Sequence, residues 1–347
     1  MRPLTPLLAA MSLLSPGCFS AGYLAQAARG ELQILYRARP IRQVVTDPAV
    51  PERVRLLLSS VPVVKSFGEA NGLAPTGNYD RYADLGRPAV VWNVLGCAPL
   101  SFDVRHWRFP LVGTVPYLGF FRQEAARRYA RELARAESLD VDVRGASAFS
   151  TLGWFRDPVL STMIPAGDEA LGELANVILH ESVHATLYVN DQSPFDESLA
   201  DFVADRLTEV WLRRVLGPEA RETRAWLAAV ALHRSVVARI HRAYLELDAL
   251  YRSAATDERK RAEKARLLEA LRVDLGWARP LNNASIAGFK TYDTGGPAFE
   301  RLLSSCGGSW PRFLRALRGL EPSDFGEPQR EEFDEVVDRL ARRGCAP

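Results

Sequence analysis

The chain is short of the residues on which chemistry most often rests. Of its 347 residues only five are histidine, four are cysteine and three are methionine. No two cysteines stand at the close spacing of a thiolate zinc site, so any metal has to be sought among other side chains. No charge of one sign prevails: 44 basic and 42 acidic residues leave a net charge of +2. A global field drawing the protein to nucleic acid or to an anionic membrane is therefore absent, and nucleic acid is not an expected partner. Internal repeats and low-complexity tracts are also missing. What remains is ordinary globular material, 47% hydrophobic and 25% charged, long enough for one large core or two smaller ones.

The start of the chain reads differently. Arg2 precedes an apolar stretch from Leu4 to Leu14, and the small residue Gly17 stands directly before Cys18. That is the layout of a secretory signal, with an apolar segment too short to span a bilayer as a mature helix. The junction resembles a bacterial lipobox, which implies lipidation of Cys18, although Leu14 sits one place further out than usual and Pro16 is uncommon there. Phe19, and not an aspartate, follows Cys18, which in such lipoproteins resembles sorting to the outer membrane. The expectation is an exported cell-envelope lipoprotein. Without Cys18 an odd set remains, Cys97, Cys306 and Cys345. Cys306 and Cys345 share one C-terminal region and could bridge, while three inert thiols are equally consistent with the spacing.

Periodicity divides the rest. Short helices are expected over 25–35, 49–58 and 61–71, the last two separated by Pro62. The run Ala89 to Leu95 reads as a buried strand, 121–136 as a helix and 139–144 as a half-exposed strand, together a small sheet. From about residue 169 the chain is overwhelmingly helical. One helix covers 169–188 with Asp168 as N-cap, and a second opens with Ser193 as N-cap and Pro194 at its first position. A charged helical hairpin spans 219–254 and 257–275 with Thr256 capping its second arm, and shorter helices lie near Phe299, Trp310 and Glu331. The implied organisation is a signal peptide (1–17), an anchored segment (18–45), a mixed α/β part with a small sheet (46–168) and a helical part (169–347) that carries the chemistry.

That chemistry lies in His180-Glu181-Ser182-Val183-His184, followed thirteen residues after His184 by Glu197. Histidines four apart on a helix are offset by only about 40°, so both imidazoles reach one ion. Glu181 stands beside them, off the ligand axis, where a carboxylate can take a proton from activated water without occupying a coordination position. The helix is apolar at Val177, Ile178, Leu179, Val183 and Leu187, and two imidazoles on a buried helix need partners that a metal would supply. A catalytic zinc needs a third protein ligand and an open place. Glu197, in the first turn of the next helix, is the expected third ligand; Asp191 and Asp196 are the alternatives. Asp201 shares the face of Glu197 and is expected to orient a liganding histidine through its outer ring nitrogen.

An HExxH motif with ExxxD on the following helix resembles the gluzincin metallopeptidases. More closely, the chain is similar to a predicted bacterial aminopeptidase family of outer-membrane-type lipoproteins. The resemblance runs through Gly17-Cys18, Gln33-Ile34-Leu35, Val90-Val91-Trp92-Asn93, Val115-Pro116-Tyr117, Ser150 to Phe155, the metal motifs, Asn282-Asn283-Ala284, Tyr292 and Phe299. It departs at Asp196, where relatives commonly carry asparagine, and around Arg108 and Thr114, which lack a cysteine pair. The resemblance implies an α+β, zincin-like fold of gluzincin type, with a small sheet and a mostly helical C-terminal half. It also implies one Zn2+ ion, a peptide substrate, and an aminopeptidase activity in which Glu181 is the general base.

Further roles follow more loosely. Thr151, Leu152, Gly153 and Trp154 are expected to line the substrate cleft beside a strand leading into the motif helix, against the plainer alternative that Trp154 and Phe155 are core aromatics. Tyr292, and after it His241, is expected to donate to the oxyanion. Tyr188 shares the face of His184 and is expected to pack, whereas His106 and His233 carry no ligand spacing. An endopeptidase with the same centre, and a lipoprotein scaffold merely braced by metal, are the competing readings. Sequence leaves the oligomeric state open.

Overall fold

A computed structural model describes residues 16–109, 113–148, 156–289 and 295–345, with side chains from residue 22 onward. In chain order the elements are α1 (Pro16–Arg37), β1 (Arg39–Pro40), α2 (Ile41–Val44), α3 (Glu52–Ala70), β2 (Arg81–Ala83), β3 (Val91–Cys97), β4 (Trp107–Phe109), β5 (Gly113–Val115), β6 (Leu118–Phe120), α4 (Gln123–Glu137), β7 (Asp140–Ala146) and β8 (Val159–Leu160). There follow α5 (Ala170–Thr186), α6 (Ser193–Val215), α7 (Arg221–Arg252), α8 (Asp257–Asp274), α9 (Asn283–Ala287), α10 (Gly296–Ser305), α11 (Trp310–Leu317) and α12 (Asp334–Arg343). The fold is mixed α+β, small sheets beside a helical majority. Among the described residues no helix is long and apolar enough to cross a membrane.

The apolar strand at Val91–Cys97 lies at the centre of an antiparallel sheet ordered β6-β3-β7, with Asn93 opposite Gly119 on one side and Arg144 on the other. α4 covers this sheet, burying Ala126, Ala130 and Leu133 against Trp92, Val94, Leu118 and Phe120. A second sheet, β1-β2-β8, pairs Tyr82 with Val159 in parallel and leaves β8 at its edge, directly ahead of the motif helix.

The main core forms around α5, whose Leu174, Ile178, Leu179 and Val183 are fully buried among residues of α3, α6 and the C-terminal helices. At Gly172 a Cβ would stand 2.2 Å from Cγ of Trp226, so α5 and α7 approach through a position only glycine can occupy. Phe195, in the first turn of α6, sits among Phe299, Phe325 and Phe333 with ring centroids 5.1–5.8 Å away. Close aromatic packing fixes that turn. A disulfide joins Cys306 to Cys345, with a Cα separation of 4.9 Å, and Cys97 is buried and free.

α7, α8 and α9 close a third cluster over β3 and β7. Thr256 caps α8, accepting from Arg259 N–H, as the sequence predicts. The Asn282-Asn283 pair turns out to be a brace. Asn282 caps α9 through Ser285 N–H at 3.0 Å, and buried Asn283 donates to the carbonyls of Ala98 and Ser101 at 2.9 and 3.0 Å.

Four local expectations are corrected. Pro62 lies inside α3 and does not divide it, because Leu58, Val61 and Val64 hold one continuous buried face around the missing N–H. Asp168 does not cap α5; its carboxylate pairs with Arg221 at 2.5 Å, and the helix starts after Glu169. Ser193 is the first residue of α6 and Gln192 its N-cap. Tyr188 lies beyond the end of α5, 47% exposed, instead of packing in the core.

Candidate metal centre

α5 turns its apolar stripe inward and leaves His180 and His184 one turn apart on its flank, each half-buried. α6 packs back against α5 by burying Leu199, Ala200, Val203, Ala204 and Leu207. Glu197 and Asp201 then project from the adjoining face toward the imidazoles. The connection between the helices is held from the other end of the chain. Gln329 N–H donates to the carbonyl of Asp191 at 2.7 Å, the amide of Gln192 donates to the Glu327 carbonyl at 2.8 Å, and Arg330 N–H returns a bond to Gln192 at 3.1 Å. Asp191 itself adopts a left-handed backbone, φ 60°. Within the connection, Val189 N–H donates to Oδ1 of Asp196 at 2.9 Å. Of the alternative ligands, Asp196 is thus engaged through its carboxylate and Asp191 through its backbone carbonyl.

The donor atoms converge. Nε2 of His180 lies 3.1 Å from Nε2 of His184 and 3.4 Å from Oε2 of Glu197, and Nε2 of His184 lies 3.6 Å from Oε1 of Glu197. Zinc bonds of about 2.0–2.1 Å in a tetrahedron separate neighbouring ligand atoms by about 3.3 Å; the two imidazole nitrogens stand near that spacing, one carboxylate oxygen of Glu197 lies close to each of them, and with one atom taken from each residue the three lie within 4.8 Å of one another. Among the described residues this triangle is also the group of three His, Cys, Asp or Glu side chains able to hold a metal ion. The outer nitrogen of His180, Nδ1, meets Oδ1 of Asp201 at 3.0 Å, which leaves Nε2 turned toward the triangle.

The field at the triangle favours positive charge. Burial by itself opposes a charged His180, yet the carboxylates of Asp201 and Glu197 lift it to about 10. Burial pushes Glu197 the other way, but hydrogen bonds from both imidazoles hold it well below the usual carboxylate range. Asp196, 1% exposed, is pushed up to about 6, first by burial. Its Oδ2 and Nδ1 of His184 are both buried without hydrogen-bond partners, and the nearby His184 draws the Asp196 carboxyl back down against that burial.

Two residues that the sequence reading does not assign to the centre, Tyr117 and Tyr79, feel its carboxylates, and a third, Glu31, feels Asp157. Tyr117, in the β5–β6 turn and half-exposed, has its hydroxyl pushed up by burial and by the Glu197 carboxylate. With Tyr23, Leu24, Phe109, Val115 and Pro116 it lines an apolar pocket. Tyr79 is buried at φ 65°, its N–H donates to the Asp157 carbonyl at 2.7 Å, and its hydroxyl feels the carboxylates of Glu181 and Asp157. Glu31 of α1 is buried among apolar neighbours, with Oε2 lacking any hydrogen bond. Burial and the nearby Asp157 carboxylate push Glu31 up to about 7. The helical period along α1 would have flagged Glu31, because it shares the inward stripe of Ile34 and Ala38.

The raised Glu31 has a consequence for stability. A carboxyl whose folded pKa exceeds its unfolded one contributes fully below the unfolded value, near 4.5, and that contribution is lost as pH rises through about 7. Glu31→Gln should therefore match the wild type near pH 4 and exceed it by roughly 2–3 kcal/mol at pH 8. Urea unfolding across that range measures it; a difference that does not grow with pH would contradict the burial of this charge.

Thr151, Leu152, Gly153, Trp154 and Tyr292 lie outside the described residues. His241 is engaged on α7, its Nδ1 3.3 Å from the Phe289 carbonyl and its ring stacked near Tyr244. Cys18 falls in the first turn of α1.

A family model described as "Putative aminopeptidase" matches residues 22–333. No curated protein and no solved structure matches the chain.

Proposed function

The chain belongs to the aminopeptidase family whose model it matches over residues 22–333, and from that premise we propose that it is a zinc-dependent aminopeptidase with His180, His184 and Glu197 as ligands and Glu181 as general base. The observation that carries this reading is the convergence of two Nε2 atoms 3.1 Å apart with the Glu197 carboxylate, whose Oε2 lies 3.4 Å from His180 and whose Oε1 lies 3.6 Å from His184. Two histidines and one carboxylate, with no thiolate, form a catalytic donor set and not a closed structural one. The arrangement of the motif helix, the edge strand β8 ahead of it and the carboxylate-bearing helix after it supports a zincin-like fold of gluzincin type.

Held in the triangle, a zinc ion supplies the Lewis acidity that activates water and polarises the scissile carbonyl. The chain's own residues do the rest. Asp201 accepts from Nδ1 of His180 and so keeps that ring in one tautomer. Glu181 takes the proton released by the attacking water and delivers it to the leaving amine. The Tyr117 hydroxyl, within electrostatic reach of Glu197, joins Tyr292 as a candidate donor to the oxyanion. Thr151 to Trp154, which precede β8 in the sequence, are proposed to flank the cleft.

Export with a lipid on Cys18, and location at the outer membrane, belong to the same proposal. They are supported by the signal-like start of the chain and by the Cys306–Cys345 disulfide, a bond suited to an oxidising compartment.

Zinc analysis of the purified protein, combined with hydrolysis of free and N-acetylated aminoacyl reporters, tests the function. One zinc per chain and cleavage confined to free amino termini are expected. Equal cleavage of acetylated substrates would make it an endopeptidase, and bound zinc without any cleavage would make it a scaffold.

A further inference from the structure

We propose that Asp205, clamped between Asn176 of α5 and Arg234 of α7, is a positioning residue of the metal centre, fixing the register of α6 against α5 one helical turn from where Asp201 meets His180. This rests on the zinc reading of the centre and goes beyond it by naming what keeps the ligands at their spacing.

α5 and α6 meet along a ladder of polar side chains. On α5, His184, His180 and Asn176 stand at four-residue steps, and on α6 Glu197, Asp201 and Asp205 do the same, so each set occupies one face of its helix. His184 meets Glu197 at 3.6 Å, His180 meets Asp201 at 3.0 Å, and the Asn176 amide donates to Oδ1 of Asp205 at 3.0 Å. The first two rungs carry the ligands and the partner of one of them. The third adds no ligand, and the chain alone holds it together.

Acids four residues apart on one helix face repel one another, and Asp205 is half-buried. Each acid of the row is offset from another helix. Glu197 lies against both imidazoles and Asp201 against the His180 ring. For Asp205 the cation comes from α7, where Nη2 of Arg234 donates to Oδ2 at 2.8 Å and leaves Oδ1 to Asn176. One carboxylate therefore joins three helices at one level. α7 reaches that level because Gly172, one turn before Asn176, lacks the Cβ that would strike Trp226.

The other residues that α6 buries beside the ladder, Leu199, Ala200, Val203 and Ala204, are apolar. Apolar contact is non-directional, so it draws the helices together without setting how far one slides along the other. A carboxylate with a directed hydrogen bond on each oxygen does set it. Glu197 is eight residues from Asp205 on the same helix, about 12 Å along its axis, and a slip at one end is passed to the other. A misplacement of about 1 Å is enough to impair a reacting centre.

The test uses the full chain and two readouts that need no turnover: zinc affinity by competition with a chelating dye, and the visible absorption of the cobalt(II)-substituted protein. Arg234→Gln and Asp205→Asn are each expected to weaken zinc binding about three- to tenfold, less than the loss of a ligand's direct partner, and to alter the cobalt spectrum. Combining them should cost no more than the worse of the two, because both act through one carboxylate. Arg234→Lys keeps a charged donor for Asp205 and should recover most of the affinity. Arg206→Gln breaks another exposed ion pair of α6, with Glu300 of α10 at 2.8 Å, and should leave both readouts at the parental level. Parental affinity and spectrum in Arg234→Gln overturn the proposal, and that result needs no change at residue 205, so it decides even if Asp205→Asn fails to fold. Additive losses in the double variant, or an equal loss in Arg206→Gln, overturn it as well. A parent that binds no zinc removes the centre and the proposal together, whereas the expected losses in a protein that cleaves no peptide would remove the peptidase reading and leave the clamp.

Discussion

Glu181→Gln is expected to keep the fold and the bound zinc while hydrolysis falls by about 10²–10⁴-fold, the usual contribution of a positioned general base. The substitution preserves the length and hydrogen-bonding capacity of the side chain and removes only its ability to take a proton. Glu181 is adjacent to His180 in α5, half-buried, and does not stand among the ligand atoms. A loss of zinc in this variant would move Glu181 into the ligand set; near-normal turnover would end its role as base. Both quantities come from one preparation, by metal analysis and by the rate on a free-amino reporter.

Replacing Glu197 by alanine should have the second large effect, a loss of zinc binding that exceeds the about 10–100-fold expected when Asp201→Asn removes the partner of His180. The order follows from geometry. Glu197 contributes an oxygen to the triangle, whereas Asp201 acts through Nδ1 of His180 at 3.0 Å. Titration against a zinc-chelating dye gives both constants. If Asp201→Asn were the more damaging change, the carboxylate of Glu197 could not be a ligand, and the third donor would have to be found elsewhere. Zinc should also raise the melting temperature of the wild type, because a ligand that binds only the folded chain stabilises it by mass action, and Glu197→Ala should lose that increment.

The parts of the centre that were legible in the sequence are those set by one turn of helix. His180 and His184, and separately Glu197 and Asp201, are each four residues apart, and the period of 3.6 places each pair on one face whatever else the chain does. The strand near 89–95 and the capped second arm of the hairpin were legible for the same local reason. Local reasoning failed where a distant group won. Asp168 had the composition of an N-cap but found Arg221, and Pro62 looked like a boundary but was carried within α3 by the core on either side of it. The distance between the two halves of the centre belongs to this second class. It depends on Phe195 seated among Phe299, Phe325 and Phe333 and on Gln329 and Arg330 clasping the connection, contacts that span more than a hundred residues.

Spacing along a helix is covalent geometry repeated, so the amino-acid order alone determined which side chains face the same way and what donor set they make: two imidazoles, a carboxylate and a spare acid. Which acid meets which cation, which tyrosine overlooks Glu197, and that Glu31 lies beside Asp157 from a helix 126 residues earlier were decided only in three dimensions. Those meetings depend on which surfaces the apolar core draws together, and no periodicity along the chain encodes that choice.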